Sequence, residues 1–353
     1  MVSTGNMNRT LIIEKLSLSN PASQAALYAE ANALKTSTIG NKVYLRGLIE
    51  FSNICSKNCY YCGIRREIQS LNRYELSDED VLAAVDFAWK NRYGSVVLQS
   101  GERQSARFTK RITRLLHHIK EHTRNELGIT LSCGEQTAVT YREWFKAGAH
   151  RYLLRIETSN RELYDKLHPN DAQHSFETRL AAIGHLRDEG YQVGTGVMIG
   201  LPFQVIEDLA DDLLFFQSMN IDMVGMGPYL EHSQTPLYRY RHLLLPPEKR
   251  LELTLKMVAT LRLLMPDINI AATTALQVLH PEGREMAVFA GANIIMPNMT
   301  LPQFRPEYRI YEHKPGVCDD AALSKSKLEL NLQHAGIAIG YGEWGDSKHF
   351  VTS

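Results

Sequence analysis

From about residue 41 onward the apolar positions fall into a two-beat rhythm, in which short β-type runs alternate with longer amphipathic helical runs. The runs "KVYLRGLIEFS", "GSVVLQSGE", "GITLSCGE", "HRYLLRIETS", "YQVGTGVMIGLP", "IDMVGMGPYL", "INIAATTA" and "ANIIMPNM" are strand candidates. The helices between them carry start and stop signals. Ser77 precedes "DEDVLAAVDFAWKNR" with Asp80 three residues on, the layout of a capping box. Ser175 opens "FETRLAAIGHLRDEG", and Gly190 stands where a C-terminal cap glycine belongs. Pro246 and Pro247 open the helical run "EKRLELTLKMVATLRLL". The first 40 residues lack the rhythm and read as helices.

Eight alternations predict an α/β fold, a (β/α)8 TIM-type barrel. An open doubly wound sheet usually has about five to seven strands and fits the count less well. Residues 1–40 are expected to form an N-terminal helical extension, and residues 41–353 the barrel with a C-terminal elaboration. The unusual residues Cys55, Glu102, Glu135, Glu157, Pro202, Thr273, Thr274 and Asn298 all fall at the C-terminal ends of the strand runs. In a barrel those ends ring one mouth, where barrel active sites lie.

Composition narrows the function classes. An apolar fraction of 44% and a charged fraction of 22% are those of a globular protein. The formal net charge of zero argues against a nucleic-acid partner, or an anionic membrane, held by bulk charge. No apolar run approaches the roughly 18 residues of a membrane span. The start "MVSTGNMNRTLIIEKL" lacks the layout of a secretory signal, so a cytoplasmic location is expected. In a reducing compartment clustered thiols are more often metal ligands or catalysts than disulfides.

The chain has five cysteines, and Cys55, Cys59 and Cys62 crowd into "CSKNCYYC" directly after the first strand run. Zinc wants four ligands, and structural zinc sites usually come as paired knuckles; no second CxxC exists, and residues 41–80 contain no histidine. An iron–sulfur cubane takes thiolates, and three of them leave one iron free for a small chelate such as an amino acid's amine and carboxylate. S-adenosylmethionine carries that chelate. One electron from a reduced cluster into its S–C5′ bond would release methionine and a 5′-deoxyadenosyl radical. Zinc stays open as the lesser reading. Tyr60 and Tyr61 suit the cluster reading, because an aromatic before the last cysteine can lie against adenine.

The cysteine spacing, the strand before it and the aromatic inside it resemble the radical S-adenosylmethionine superfamily. "RGLIEFSNICSKNCYYCGIRR", "VVLQSGE", "RYLLRIETSN", "DMVGMGPY", "ATTA", "GREMAVFAGANIIMPN" and "GEWGDSKH" further resemble HydE-type maturases of [FeFe]-hydrogenase, from about residue 42 to the end. The resemblance implies a [4Fe–4S] cluster on Cys55, Cys59 and Cys62, with S-adenosylmethionine as cosubstrate. It assigns Gly101 and Glu102 to the methionine amine, Glu157 to the ribose hydroxyls and Arg179 to the methionine carboxylate. Arg155 would lie between cosubstrate and substrate, and the segment with Met198 and Leu201 would present apolar backbone to adenine; read from the residues alone, Met198 is also a core methionine. Read from the residues alone, Arg155 and Glu157 share a strand face and so meet either a ligand or each other.

On the substrate side, Gln99, Arg155, Met223, Thr273 and Thr274 match positions lining the family's cavity. The substrate implied there is an iron–cysteine synthon with carbonyl and cyanide ligands. Phe304 stands where a tyrosine is expected, while Tyr308 keeps its phenol. Cys318 is the one cysteine near the C-terminus, so no second iron–sulfur cluster is expected. The implied partners are an electron donor such as flavodoxin or ferredoxin and other hydrogenase maturases. A methylornithine synthase-like mutase is the nearest alternative. It must hold a lysine zwitterion, yet "DMVGMGPY" and "NIAATTA" offer glycine and neutral threonines past Asp222. Biotin synthase needs extra cysteines. A non-catalytic iron–sulfur carrier would not need Glu102, Glu157 and Arg179. Cys133 reads as a small buried hydrophobe.

Overall fold

The computed structural model describes residues 7–316 and 321–350. The eight strand runs all form strands, and they close into a parallel barrel. In chain order these are β1 (Lys42–Ser52), β2 (Ser95–Ser100), β3 (Gly128–Ser132), β4 (Arg151–Leu153), β5 (Gln192–Thr195), β6 (Met223–Val224), β7 (Asn269–Ala272) and β8 (Ile294–Ile295). Each pairs with the next, and β8 returns to β1 through Tyr44↔Ile294 and Leu45↔Ile295. "YQVGTGVMIGLP" is a broken strand. Its second half, Met198–Ile199, leaves the barrel wall to pair with Gly227–Pro228 in a small sheet above β5 and β6.

Both faces of these strands are buried, one by the barrel interior and one by the outer helices, so they read as apolar runs with little alternation. The helix Asp78–Lys90 starts with the full capping box, Ser77 Oγ accepting from Asp80 N and Asp80 accepting from Ser77 N. Gly190, at φ 89°, follows the helix Phe176–Asp188 in the left-handed conformation that glycine adopts without strain.

The N-terminal helices Arg9–Leu16 and Pro21–Ile39 pack on the barrel helices Ile206–Ser218 and Pro247–Leu264. Ile12, Leu16, Leu27 and Ala31 belong to the same apolar cluster as the barrel core. At the opposite end from the mouth, the C-terminal segment runs under the barrel. Buried Arg151 donates to Trp344 O at 2.9 Å and to Asp346 Oδ1 at 2.5 Å, and Asn269 donates to Gly345 O at 2.9 Å. A cavity of about 300 Å³ lies there, between this segment and Tyr44, Asn269 and Asn293. No helix among the described residues is long and apolar enough to cross a membrane.

Candidate radical-generating site at the barrel mouth

The cysteine loop leaves β1 and folds back over the mouth. Two backbone donors address its first thiol: Lys57 N at 3.4 Å and Glu102 N at 3.3 Å from Cys55 Sγ. Gly101 makes this approach possible, because a Cβ there would stand 2.4 Å from Ile54 O and 2.8 Å from Cys55 Cβ. Burial pushes all three thiols up in pKa, that of Cys59 to about 12, and their mutual repulsion adds to the shift at Cys59 and Cys62. Three such thiols ionise together only against positive charge. A cationic iron core supplies it, so the donor set fits a cubane held at three corners. Among the described residues, no group of three or more His, Cys, Asp or Glu side chains converges as ligands of a single metal ion. The ligands of a cubane sit on separate irons and need no such convergence.

Beside the loop lies a closed set of four charges. Lys57 Nζ meets Glu102 Oε1 at 3.0 Å and Glu135 Oε2 at 2.9 Å, and also donates to Gln173 O. Arg179 meets Glu135 Oε1 through Nε at 2.5 Å and Glu102 Oε2 through Nη2 at 3.4 Å. Lys57, Glu102 and Glu135 have nearly inaccessible side chains, at 7%, 7% and 4%, and Arg179 keeps partial access at 12%. Burial disfavours every one of these charges. At Glu135 the charges of Arg179 and Lys57 outweigh burial and hold the carboxyl below its ordinary value. At Glu102 burial prevails over Arg179, helped by repulsion from Glu135, and the carboxyl is raised. Burial lowers Arg179, but Glu135 and Glu102 more than reverse that. Gly134, at φ 74°, brings β3 against this group; a Cβ there would come within 2.2 Å of Glu102 Cγ.

Arg155 and Glu157 meet each other as a fork, with Arg155 Nε and Nη2 at 2.9 to 3.1 Å from the carboxylate oxygens. Arg155 also donates to Gly225 O at 2.7 Å and Val197 O at 2.9 Å. Glu157 is held at φ 69°, a conformation that a non-glycine residue keeps only where its surroundings fix it. Its loop is fixed by Asp212, whose Oδ1 accepts from Ser159 N at 2.6 Å and Ser159 Oγ at 2.7 Å.

Next to the last cysteine, Tyr60, Tyr61, Met198 and Leu201 gather with Leu163, Leu167, Tyr229 and Leu237 in an apolar cluster separate from the core. Burial lowers His168 to about 3, so the ring is neutral. Its Nδ1 lies 2.9 Å from Tyr164 O and therefore carries the proton, which leaves Nε2 to accept from Tyr61 Oη at 3.2 Å. His174 Nε2 accepts from Asn58 N at 2.9 Å. Both histidines are far along the chain from the 41–80 segment, and the sequence reading passed over them.

Deeper in the mouth, Gln99 Nε2 donates to Tyr308 Oη at 3.2 Å. Phe304 packs its ring on Tyr74 at 4.9 Å. Thr273 Oγ1 lies 3.4 Å from Met226 O, and Thr274 lines a cavity of about 180 Å³ with Asn298, Arg284 and Lys314. Met223 stands apart from this set. Its sulfur meets Arg46 Nη1 at 2.6 Å, and Arg46 Nη2 donates to Gly345 O, so Met223 belongs to the barrel floor. The reason is register. Met223 opens β6 and pairs with Gly194 and Asn269, one layer below Gly225 on the same strand face. Sequence reasoning also passed over Glu50, a buried carboxylate that takes Asn298 Nδ2 at 3.0 Å and an ion pair from Lys314. Cys318 lies outside the described residues.

A family model for the radical SAM superfamily matches residues 49–216. The [FeFe] hydrogenase maturase subunit HydE of Thermotoga maritima is 42% identical over 308 residues, which are 87% of this chain and 84% of that protein. The 3-methylornithine synthase of Methanosarcina barkeri is 30% identical over 300 residues, 83% of this chain and 78% of that protein. Among solved structures, methylornithine synthase superposes with a TM-score of 0.80 at 24% identity over 96% of this chain and 95% of its own. The HydG maturase of Carboxydothermus hydrogenoformans gives 0.77 at 20% identity over 96% and 77%. At those identities the structural likeness speaks for the shared barrel alone. The sequence relationship goes further, and the chain belongs to the radical SAM superfamily, within its family of HydE-type [FeFe]-hydrogenase maturases.

Proposed function

We propose that this protein is a radical SAM enzyme of [FeFe]-hydrogenase maturation that acts on a small iron–cysteine complex bearing carbonyl and cyanide ligands. When bound, a [4Fe–4S] cluster on Cys55, Cys59 and Cys62 supplies one electron to cleave S-adenosylmethionine into methionine and a 5′-deoxyadenosyl radical. The residues of the chain bind, orient and exclude water. Glu102 accepts from the methionine ammonium, and Arg179 pairs with its carboxylate. Glu157 accepts from the ribose hydroxyls while Arg155 fixes its carboxylate by a fork. Tyr61, Met198 and Leu201 form an apolar seat for adenine. Gln99, Tyr308, Phe304, Thr273 and Thr274 line the substrate side, with Phe304 withholding a hydroxyl. Met223 acts from below, as part of the floor.

The observation that carries this reading is the meeting of the cysteine loop with the Lys57–Glu102–Glu135–Arg179 group. Such buried charge is costly in a site that only stores a cluster, and it suits a zwitterionic ligand. A methylornithine synthase-like role is less well supported. Identity falls from 42% to 30%, and the strand ends that would hold a lysine zwitterion carry Gly225, Thr273 and Thr274. The finer expectations belong to the same proposal: a low-potential donor such as flavodoxin or ferredoxin, other maturases as partners, a cytoplasmic location and a single cluster.

The test is incubation of the reconstituted, reduced protein with S-adenosylmethionine and a synthetic iron–dicarbonyl–cyanide–cysteine complex. An adenosylated iron product seen by EPR is expected. Turnover of lysine to methylornithine, with no iron product, would move the chain to the mutase reading.

A further inference from the structure

Glu135 closes β3 on the same mouth as the cysteine loop, yet the roles proposed above leave it without one. It is 3% exposed. Each of its oxygens takes a different cation, Oε2 from Lys57 at 2.9 Å and Oε1 from Arg179 at 2.5 Å. Glu102 meets the same two cations, at 3.0 Å and 3.4 Å. Carboxylates and cations therefore alternate around a closed ring of four with no net charge. The ring is uneven, because Arg179 commits its Nε to Glu135 and only a terminal nitrogen to Glu102, at the longer distance. Lys57 spends its three N–H directions on Glu102, Glu135 and Gln173 O.

From this geometry we infer that Glu135 is a positioning residue for the cosubstrate: as common counter-ion of Lys57 and Arg179, it shares both cations with Glu102 and so keeps their whole charge from falling on Glu102. The inference rests on the proposed pairing of Glu102 with the methionine ammonium and of Arg179 with the carboxylate. Remove the charge of Glu135 and the ring carries one surplus positive charge, with Glu102 as its sole carboxylate. A ligand whose ammonium and sulfonium are both cationic must then displace two cations at once, inside a poorly solvated pocket where charges act strongly. With Glu135 in place, Lys57 and Arg179 stay anchored when Glu102 turns to the incoming ammonium. Arg179 Nη1 donates to Arg155 O at 3.2 Å, and Nη2, released as Glu102 turns, is then available to the carboxylate.

The experiment measures equilibrium binding of S-adenosylmethionine to the anaerobically reconstituted full chain, read from the change it causes in the EPR signal of the reduced cluster. Iron content is determined on every sample. Glu135→Gln is expected to hold wild-type iron and to bind about tenfold more weakly or worse. The double variant Glu135→Gln with Lys57→Gln removes the surplus cation and is expected to return to within about threefold of wild type. Glu135→Asp, which keeps the charge, binds more tightly than Glu135→Gln. Wild-type affinity in Glu135→Gln overturns the inference. So does a double variant no better than the single one, since a merely packing role is not rescued by deleting a second charge. If Glu135→Gln fails to hold iron, the double variant decides alone: near wild-type binding supports the inference, and a tenfold loss overturns it. A wild-type protein whose cluster ignores S-adenosylmethionine overturns the cosubstrate assignment itself, and this inference with it.

Discussion

The chemistry of single residues at the mouth follows from where burial and charge compete. Cys59 is pushed up to about 12 by burial and by its neighbour Cys55, so the proposed role of its thiolate as a cluster ligand requires positive charge such as iron beside it. Cys59→Ala is accordingly expected to lose the iron and the cluster's visible absorption after reconstitution, and with them all formation of 5′-deoxyadenosine. Full iron content in that variant would remove Cys59 from the ligand set. Glu157→Gln weakens the fork with Arg155 and, with it, the proposed acceptor for the ribose, and the KM for S-adenosylmethionine should rise about tenfold with a smaller change in kcat. An unchanged KM would leave Glu157 as a partner of Arg155 alone. The sequence could not choose between those roles. Two charges on one strand face must meet a ligand or each other, and the structure has them meeting each other with Glu157 still partly accessible at 12%.

Elements hold these residues in place. Asp212 lies in the helix Ile206–Ser218 and fastens the loop of Glu157 by two hydrogen bonds to one of its oxygens, while Oδ2 has no partner. Burial raises this carboxyl to about 7 against the pull of the Ser159 bonds. Its folded pKa lies above the unfolded one, so the fold binds the extra proton between roughly pH 4 and 7. The contribution of Asp212 to stability therefore falls as pH rises through that window. Asp212→Asn should flatten this part of the stability-against-pH curve measured by urea unfolding, and an unaltered slope would refute the assignment. At the start of the helix Asp78–Lys90, Ser77→Ala removes one half of the capping box and should cost about 1 kcal/mol of unfolding free energy by the same measurement.

Helix starts and strands were readable because they depend on local signals. Ser77 with Asp80, Ser175 with Gly190, and the doubly apolar strand runs all act within a few residues. Lys57 with Glu135, Tyr61 with His168, and Glu50 with Lys314 are pairs separated by 78, 107 and 264 positions. Only the closed barrel brings them together, so no window along the chain contains them. Met223 shows what a strand assignment leaves open: a register difference of two residues sets the depth of a side chain in the barrel, and that depends on the barrel's stagger.

At the scale of the whole molecule, the barrel has a reactive mouth and a tied floor. The C-terminal segment supplies the tie through Asp346 to Arg151 and His150, at 2.5 and 3.1 Å. Burial alone would raise the Asp346 carboxyl, but the bond from His150 and the charge of Arg151 overcome it and hold the group well below its ordinary value. The stabilisation is fully present above the unfolded value near 4 and is lost as pH falls below it. Asp346 is itself 41% exposed, so solvent screens part of the effect. Asp346→Asn should make unfolding less steeply dependent on pH below 4 than in the wild-type protein. An identical acid limb would mean the tie is held by the backbone contacts of Trp344 and Gly345 alone.

The central claim is a cluster held by three cysteines next to a pocket for S-adenosylmethionine, and its most direct test is a single anaerobic assay. Protein reconstituted to about four irons per chain is reduced with dithionite, mixed with S-adenosylmethionine and analysed for 5′-deoxyadenosine. The account predicts its formation by the wild-type chain and none by Cys59→Ala. A fully loaded, reducible wild-type cluster that yields no 5′-deoxyadenosine would contradict it.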